Sequence, residues 1–239
     1  MNKRINMEKI VIIMRYFFLI LTALAIVGSI YYRQWETLLG AFLTFILLLL
    51  PTIFSKRTKI SIPTPFQVII LLFIFASMYL GEVHNFFYRI WWWDIILHST
   101  SAVILGYLGF ILIYALNKDR NIDVKLSPFF IALFTFCFAS AIGVIWEIFE
   151  FVVDSAFGVN MQKARDLEQV YGYFDTRLGL IDTMRDLIVN TSGALFVSIL
   201  GYYYSKKKMG SESTFVKLKD QFIEENPNLF ENKDEHKEK

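Results

Sequence analysis

The chain has 239 residues, of which 55% are hydrophobic and 17% aromatic, with a formal net charge of +2 and a mean hydropathy of +0.46. A soluble domain carries about 45–50% apolar residues in amphipathic patterns, whereas here they fall in blocks with most of the charge between them. That excludes a soluble globular enzyme as the main body. The single cysteine, Cys137, excludes internal disulfides and CxxC metal or redox sites.

A hydrocarbon core ~30 Å thick takes ~20 helical residues to cross, so each block is a candidate span. The first, 10–32, follows Met1-Asn2-Lys3-Arg4. It is too long for a signal-peptide core and lacks a clean A-x-A site, so a retained span is expected. Arg15 lies close enough to its end to snorkel toward the headgroups. Blocks 37–54 and 65–81 follow, the latter opened by Pro65, which suits a first helical turn. Block 92–116 starts in the run Trp91-Trp92-Trp93, 128–153 opens with Ser127-Pro128, and 179–204 closes on Tyr202-Tyr203-Tyr204. These aromatics suit membrane interfaces.

The one long connection between spans, 154–178, is polar, contains Gly158 and Gly172, and has room for a short interfacial helix. After Ser205 the charges are dense and mixed. A solvated tail is expected there, with one short amphipathic helix near 215–225 that then frays, and a docking segment is the alternative. The expected fold is all-α: a polytopic membrane helix bundle of about six spans over 1–204, followed by a charged tail over 205–239. Lysines and arginines gather at the amino terminus, at 56–59, 118–125 and 206–208, all on one side. Only Arg33, Arg89, Lys163, Arg165 and Arg177 fall on the other, which puts both termini in the cytoplasm.

Ionisable groups within spans are costly and usually face an interior. Here they recur: Gly81-Glu82-Val83-His84, Trp93-Asp94…His98, Trp146-Glu147-Ile148-Phe149-Glu150…Asp154, and Asp182-Thr183-Met184-Arg185-Asp186…Asn190. Asp94 and His98 share a helix face; so do Glu147, Glu150 and Asp154, and so do Asp182, Asp186 and Asn190. The topology places all three faces at the extracytoplasmic end, above halves that lack acids, bases and histidines. The picture is a cup open outward and sealed below. Several carboxylates cannot all ionise at low dielectric without a counter-charge, so some stay protonated, or Arg185 and histidines pair with them, or a cation binds.

With these motifs assembled, the chain resembles the YjdF-type family of uncharacterised bacterial inner-membrane proteins, over residues 65–204. The resemblance implies an inner-membrane location and brings no activity. Asn190 stands where an acid would also suit the stripe.

The expected function is a metal-dependent hydrolase or transferase on a lipid-linked or outer-leaflet substrate. Asp94, His98, Glu147, Asp154 and Asp182 would be metal ligands, with Glu150 or Asp186 as general base. Glu82, His84, Arg185 and Asn190 would lie around the metal or against the substrate. Mixed carboxylate and imidazole donors suit Zn, Mn or Fe, whereas oxygen donors alone suit Mg or Ca. The bilayer is the expected partner, with no nucleic acid. The alternatives are a cation or proton transporter, disfavoured by the lack of repeats and breaks, and a non-catalytic protein whose polar cluster only specifies helix packing.

Overall fold

The computed structural model describes residues 2–118, 126–163, 172, 177–206 and 214–227, and every regular element among them is helical. In chain order these are α1 (Asn2–Tyr31), α2 (Trp35–Thr58), α3 (Thr64–Ile74), a π-helical continuation of α3 (Phe75–Val83), and α4 (Phe86–Arg89). Then come α5 (Trp93–Lys118), α6 (Pro128–Phe157), α7 (Leu178–Ser205) and α8 (Thr214–Glu225). Six stretches are long and apolar enough to cross a membrane: Met7–Tyr31, Trp35–Thr58, Thr64–Val83, Trp93–Ile113, Pro128–Phe157 and Leu178–Ser205. Their outward faces are apolar, as lipid-facing surfaces must be: Ile13, Phe17, Ile145, Ile148 and Ile188 are all exposed. The chain is an all-α polytopic membrane protein.

The helices form two compact units, Met1–Ile90 with Gly210–Lys239, and Trp91–Met209. In the first, Val11 and Phe18 of α1, Leu48 of α2, and Leu71 and Ile74 of α3 make the core. Phe75 stacks on Phe18 with ring centroids 4.0 Å apart and on Tyr79 at 4.7 Å. The backbone turn there is wide: His84 N–H donates to the Tyr79 carbonyl at 3.1 Å, an i→i+5 bond. Hydropathy does not register this widening, because composition stays apolar through it. Arg15 reaches Gln67 Oε1 at 3.1 Å, and Gln67 in turn donates to the Ile62 carbonyl at 2.7 Å. The arginine is thus held by a polar side chain on another span.

The tail departs from the solvated default. Asn226, just past α8, is buried. Its Oδ1 accepts from Ser61 N–H at 2.6 Å, and its Nδ2 donates to the Ser61 and Phe222 carbonyls, each at 2.8 Å. A single amide thereby pairs with both backbone groups of Ser61, which have no helical partner in the link between α2 and α3. The expected fraying beyond this point, and residues 164–171 and 173–176 of the 154–178 connection, lie outside the described residues.

In the second unit α5, α6 and α7 each pack on the other two. α6 begins where the sequence signals it: Ser127 Oγ accepts from Phe130 N–H at 3.2 Å with Pro128 in the first turn. It ends at Gly158, whose φ of +66° a residue with a side chain rarely adopts. This three-helix unit carries the acidic faces.

Candidate functional site

Asp94 opens α5, Glu147 to Asp154 close α6, and Asp182 opens α7, so antiparallel packing brings the three acidic faces to one end of the unit. The α6–α7 register is set by close approach. A Cβ on Gly143 would stand 1.9 Å from Asn190 Nδ2, so glycine lets the Asn190 side chain lie against α6 where any larger residue would push it aside. One turn toward the acidic end, Glu147 comes level with Asp186, and Glu150 with Asp182, each pair near enough to interact electrostatically.

His98 is the hub. Its Nε2 lies 3.5 Å from Asp94 Oδ1 and 3.8 Å from Asp186 Oδ2, and its Nδ1 lies 3.9 Å from Glu147 Oε1. One donor atom from each of Asp94, His98 and Asp186 falls within 4.8 Å of the other two. Donors bound to one Zn at ~2.0–2.2 Å stand somewhat closer together than this, so small side-chain shifts would close the set.

The cluster is under-satisfied. Asp186 is 1% exposed, Asn190 2% and Glu147 4%. Yet Asp186 Oδ1 and both the oxygen and nitrogen of the Asn190 amide have no hydrogen-bond partner, and the Glu147 carboxylate, with Thr183 and His98 beside it, closes no short hydrogen bond to either. Buried polar atoms without partners are rare, and such a group marks a ligand or a strained function. Glu150 differs: it is buried, and its Oε1 accepts from Trp146 Nε1 at 2.9 Å.

Asp154 faces a different task. Its Oδ1 accepts from Met161 N–H at 2.7 Å and its Oδ2 from Gln162 N–H at 2.9 Å. Both oxygens are thereby committed to folding the chain back after α6. Gln162 Nε2 then donates to Thr183 Oγ1 at 3.1 Å, tying the turn to α7. The turn ends on Lys163, which is buried with its backbone in the left-handed region at φ +51°. A non-glycine residue persists there only where its surroundings hold it. Lys163 is an electrostatic neighbour of both Glu150 and Asp182, which makes it the built-in counter-charge of the outer acids.

The sequence alone marks Lys163 only as a loop charge and offers Arg185, with the histidines, as one of the alternative counter-charges. Arg185 is exposed and acts on Asp186 electrostatically. The available signal was distance along the chain: Gly158 ends the helix, so Lys163 cannot stray far from its mouth. Trp146, four residues before Glu150 and so on its face, was equally readable. Glu82 and His84 belong to the other unit, where Glu82 is partly buried and His84 is exposed with its ring 4.8 Å from that of Tyr79.

An all-α multi-pass bundle with an acid–histidine cluster between three of its spans defines a class of membrane protein. Within it, the chain belongs to the family described as predicted membrane protein (DUF2238), which matches residues 13–207. An uncharacterised protein of Thermotoga maritima is 26% identical over 162 residues, covering 67% of this chain and 72% of that one. No solved structure matches. The motif resemblance and the family agree on an uncharacterised membrane family; the match does not carry the YjdF name.

Proposed function

We propose that the protein is a membrane-embedded metalloprotein whose three-helix unit holds one divalent transition-metal ion between Asp94, His98 and Asp186. The observation that carries this is the coincidence of that donor triad with a buried Asp186 oxygen that has no hydrogen-bond partner, beside a buried Glu147 carboxylate that faces His98 and Thr183 without closing a short hydrogen bond to either. One imidazole and two carboxylates suit Zn, Mn or Fe(II). Three protein ligands leave a coordination position open, the pattern of catalytic rather than structural sites.

From this follows the reaction class: hydrolysis or group transfer on a lipid-linked or outer-leaflet substrate, reached from the membrane. Glu147, outside the donor triad and 3.9 Å from His98, is the general base. The roles expected from spacing alone therefore change. Asp186 moves from base to ligand, Glu147 from ligand to base, and Asp154 from ligand to loop clasp. Glu150 and Asp182 form an outer pair that shares Lys163 as a counter-charge. The lysine and arginine asymmetry supports cytoplasmic termini in a bacterial inner membrane, with the cluster facing outward.

One observation favours a second reading. An imidazolium among three carboxylates is also what an ion-paired packing hub would show. Metal-stripped protein in detergent, titrated with Zn, Mn or Fe(II), separates the two. The proposal expects a saturable rise in melting temperature that His98→Gln abolishes. A wild-type protein indifferent to all three metals supports the packing hub.

A further inference from the structure

Below the triad, toward the uncharged half of the bundle, the polar stripe continues one helical turn at a time. On α7 it runs from Asp186 to Asn190, and on α6 from Glu147 past Gly143 to Ser140. Ser140 Oγ, like the Asn190 amide, is buried without a hydrogen-bond partner. By helical period Ser140 falls on the α6 face of Gly143 and Glu147, the face that meets Asn190, so the two orphans follow one another along one seam with the carboxylates of Glu147 and Asp186 at its upper end.

A metal on Asp94, His98 and Asp186 would leave these atoms unsatisfied. Asn190 lies four residues beyond Asp186 and Ser140 seven residues before Glu147, about 6 and 10 Å along their helices, outside a metal's reach. The lower walls beside them, 129–140 and 193–204, contain no acid, base or histidine, so no side chain there pairs with a charged ligand. Whatever completes them must both donate and accept, since an amide oxygen, an amide nitrogen and a hydroxyl are all in want of partners. Among small ligands water meets these terms, and buried water makes 2–4 such bonds in polar interiors.

We infer that the α6–α7 seam is a water-binding site, in which bound water links Ser140 and Asn190 to the carboxylates of Glu147 and Asp186. The cup therefore has a wet floor. Protons exchange between bulk solvent and the seam through the carboxylate cluster, and Glu147 has water at hand on its inner side. The site stands whether or not a metal binds above it.

The S–H stretch of a cysteine reports hydrogen bonding and, after transfer to D2O, access to water. Cys137, on the lipid-exposed side of the same helix three residues away, supplies the contrast. In Cys137→Ala/Ser140→Cys protein the thiol should be hydrogen-bonded and convert to S–D about tenfold faster than Cys137 does in the wild type. Adding Asn190→Leu should remove that difference. The same outcome is expected with Asp94→Asn and His98→Gln present, so loss of the metal site does not disturb the test. A Ser140→Cys thiol that is unbonded and exchanges no faster than Cys137 overturns the inference. Where that variant fails to fold, 15N-labelled wild-type protein serves. The Asn190 side-chain amide, assigned by its disappearance in Asn190→Leu, should show a magnetisation-transfer peak to water, and its absence overturns the inference equally.

Discussion

Glu147 and His98 sit 3.9 Å apart, yet the proposed roles make their substitutions behave in opposite ways. His98→Gln removes a ligand and should weaken metal binding by more than ~100-fold, the upper range for merely disturbing a ligand's neighbours. Glu147→Gln removes a negative charge from a group outside the donor triad. It should keep the metal, and relief of repulsion with Asp186 should leave the fold as stable or more so. Metal affinity and melting temperature measured on the same samples check both, and a Glu147→Gln protein that loses its metal would return Glu147 to the ligand set. Asp154 tests the clasp. Asp154→Ala leaves two backbone N–H groups without their charged acceptor, a loss of ~1.5–3 kcal/mol in buried settings and less where water reaches. Thermal stability should fall, with proteolytic nicking appearing at 158–163. An unchanged melting temperature and no nicking would show that the turn holds without Asp154.

At the scale of elements, the α6–α7 seam depends on Gly143. Gly143→Ala puts a methyl into the Asn190 amide and should destabilise the bundle by ~1–3 kcal/mol, the usual cost of overpacking. Asn190→Ala in the same protein should recover most of that loss, since the clash and the orphaned amide disappear together. A double-mutant cycle in detergent reads the coupling, and strictly additive effects would contradict the register. The helices themselves were legible in the sequence, because a span must be apolar over its whole length. The expected 128–153 and 179–204 became Pro128–Phe157 and Leu178–Ser205, longer by the turn Asp154-Ser155-Ala156-Phe157 and by a single residue at each end of α7. The sharing of faces was legible too, since 3.6-residue periodicity puts Asp182, Asp186 and Asn190 on a single stripe. What escaped depends on individual side chains meeting distant backbone. The Asp154 clasp, the Asn226 hold on Ser61 across 165 residues, and the π-turn after Ile74 leave no mark on hydropathy or spacing.

For the whole molecule, the division into two units sets α1 to α4 with the tail apart from the three helices that hold the candidate chemistry. Helix order and length carry no trace of that division, although the polar faces gather in the last three spans. Orientation is a charge argument, and labelling tests it directly. In a Cys137→Ala background, Ser155→Cys at the exposed carboxyl end of α6 should react with an impermeant reagent on intact cells. Lys56→Cys, exposed at the end of α2, should react only once the cytoplasmic side is opened. The reverse pattern would turn the cup inward and remove the outer-leaflet substrate from consideration. The central claim is the metal itself, and elemental analysis of protein purified without added metal tests it most directly. The wild type should carry close to one transition-metal ion per chain. Asp186→Asn, which keeps the shape and hydrogen-bonding capacity of the side chain but not its charge, should carry none while staying folded. A wild type without metal, or an Asp186→Asn protein with its metal content unchanged, would contradict the account and leave the cluster as a packing hub.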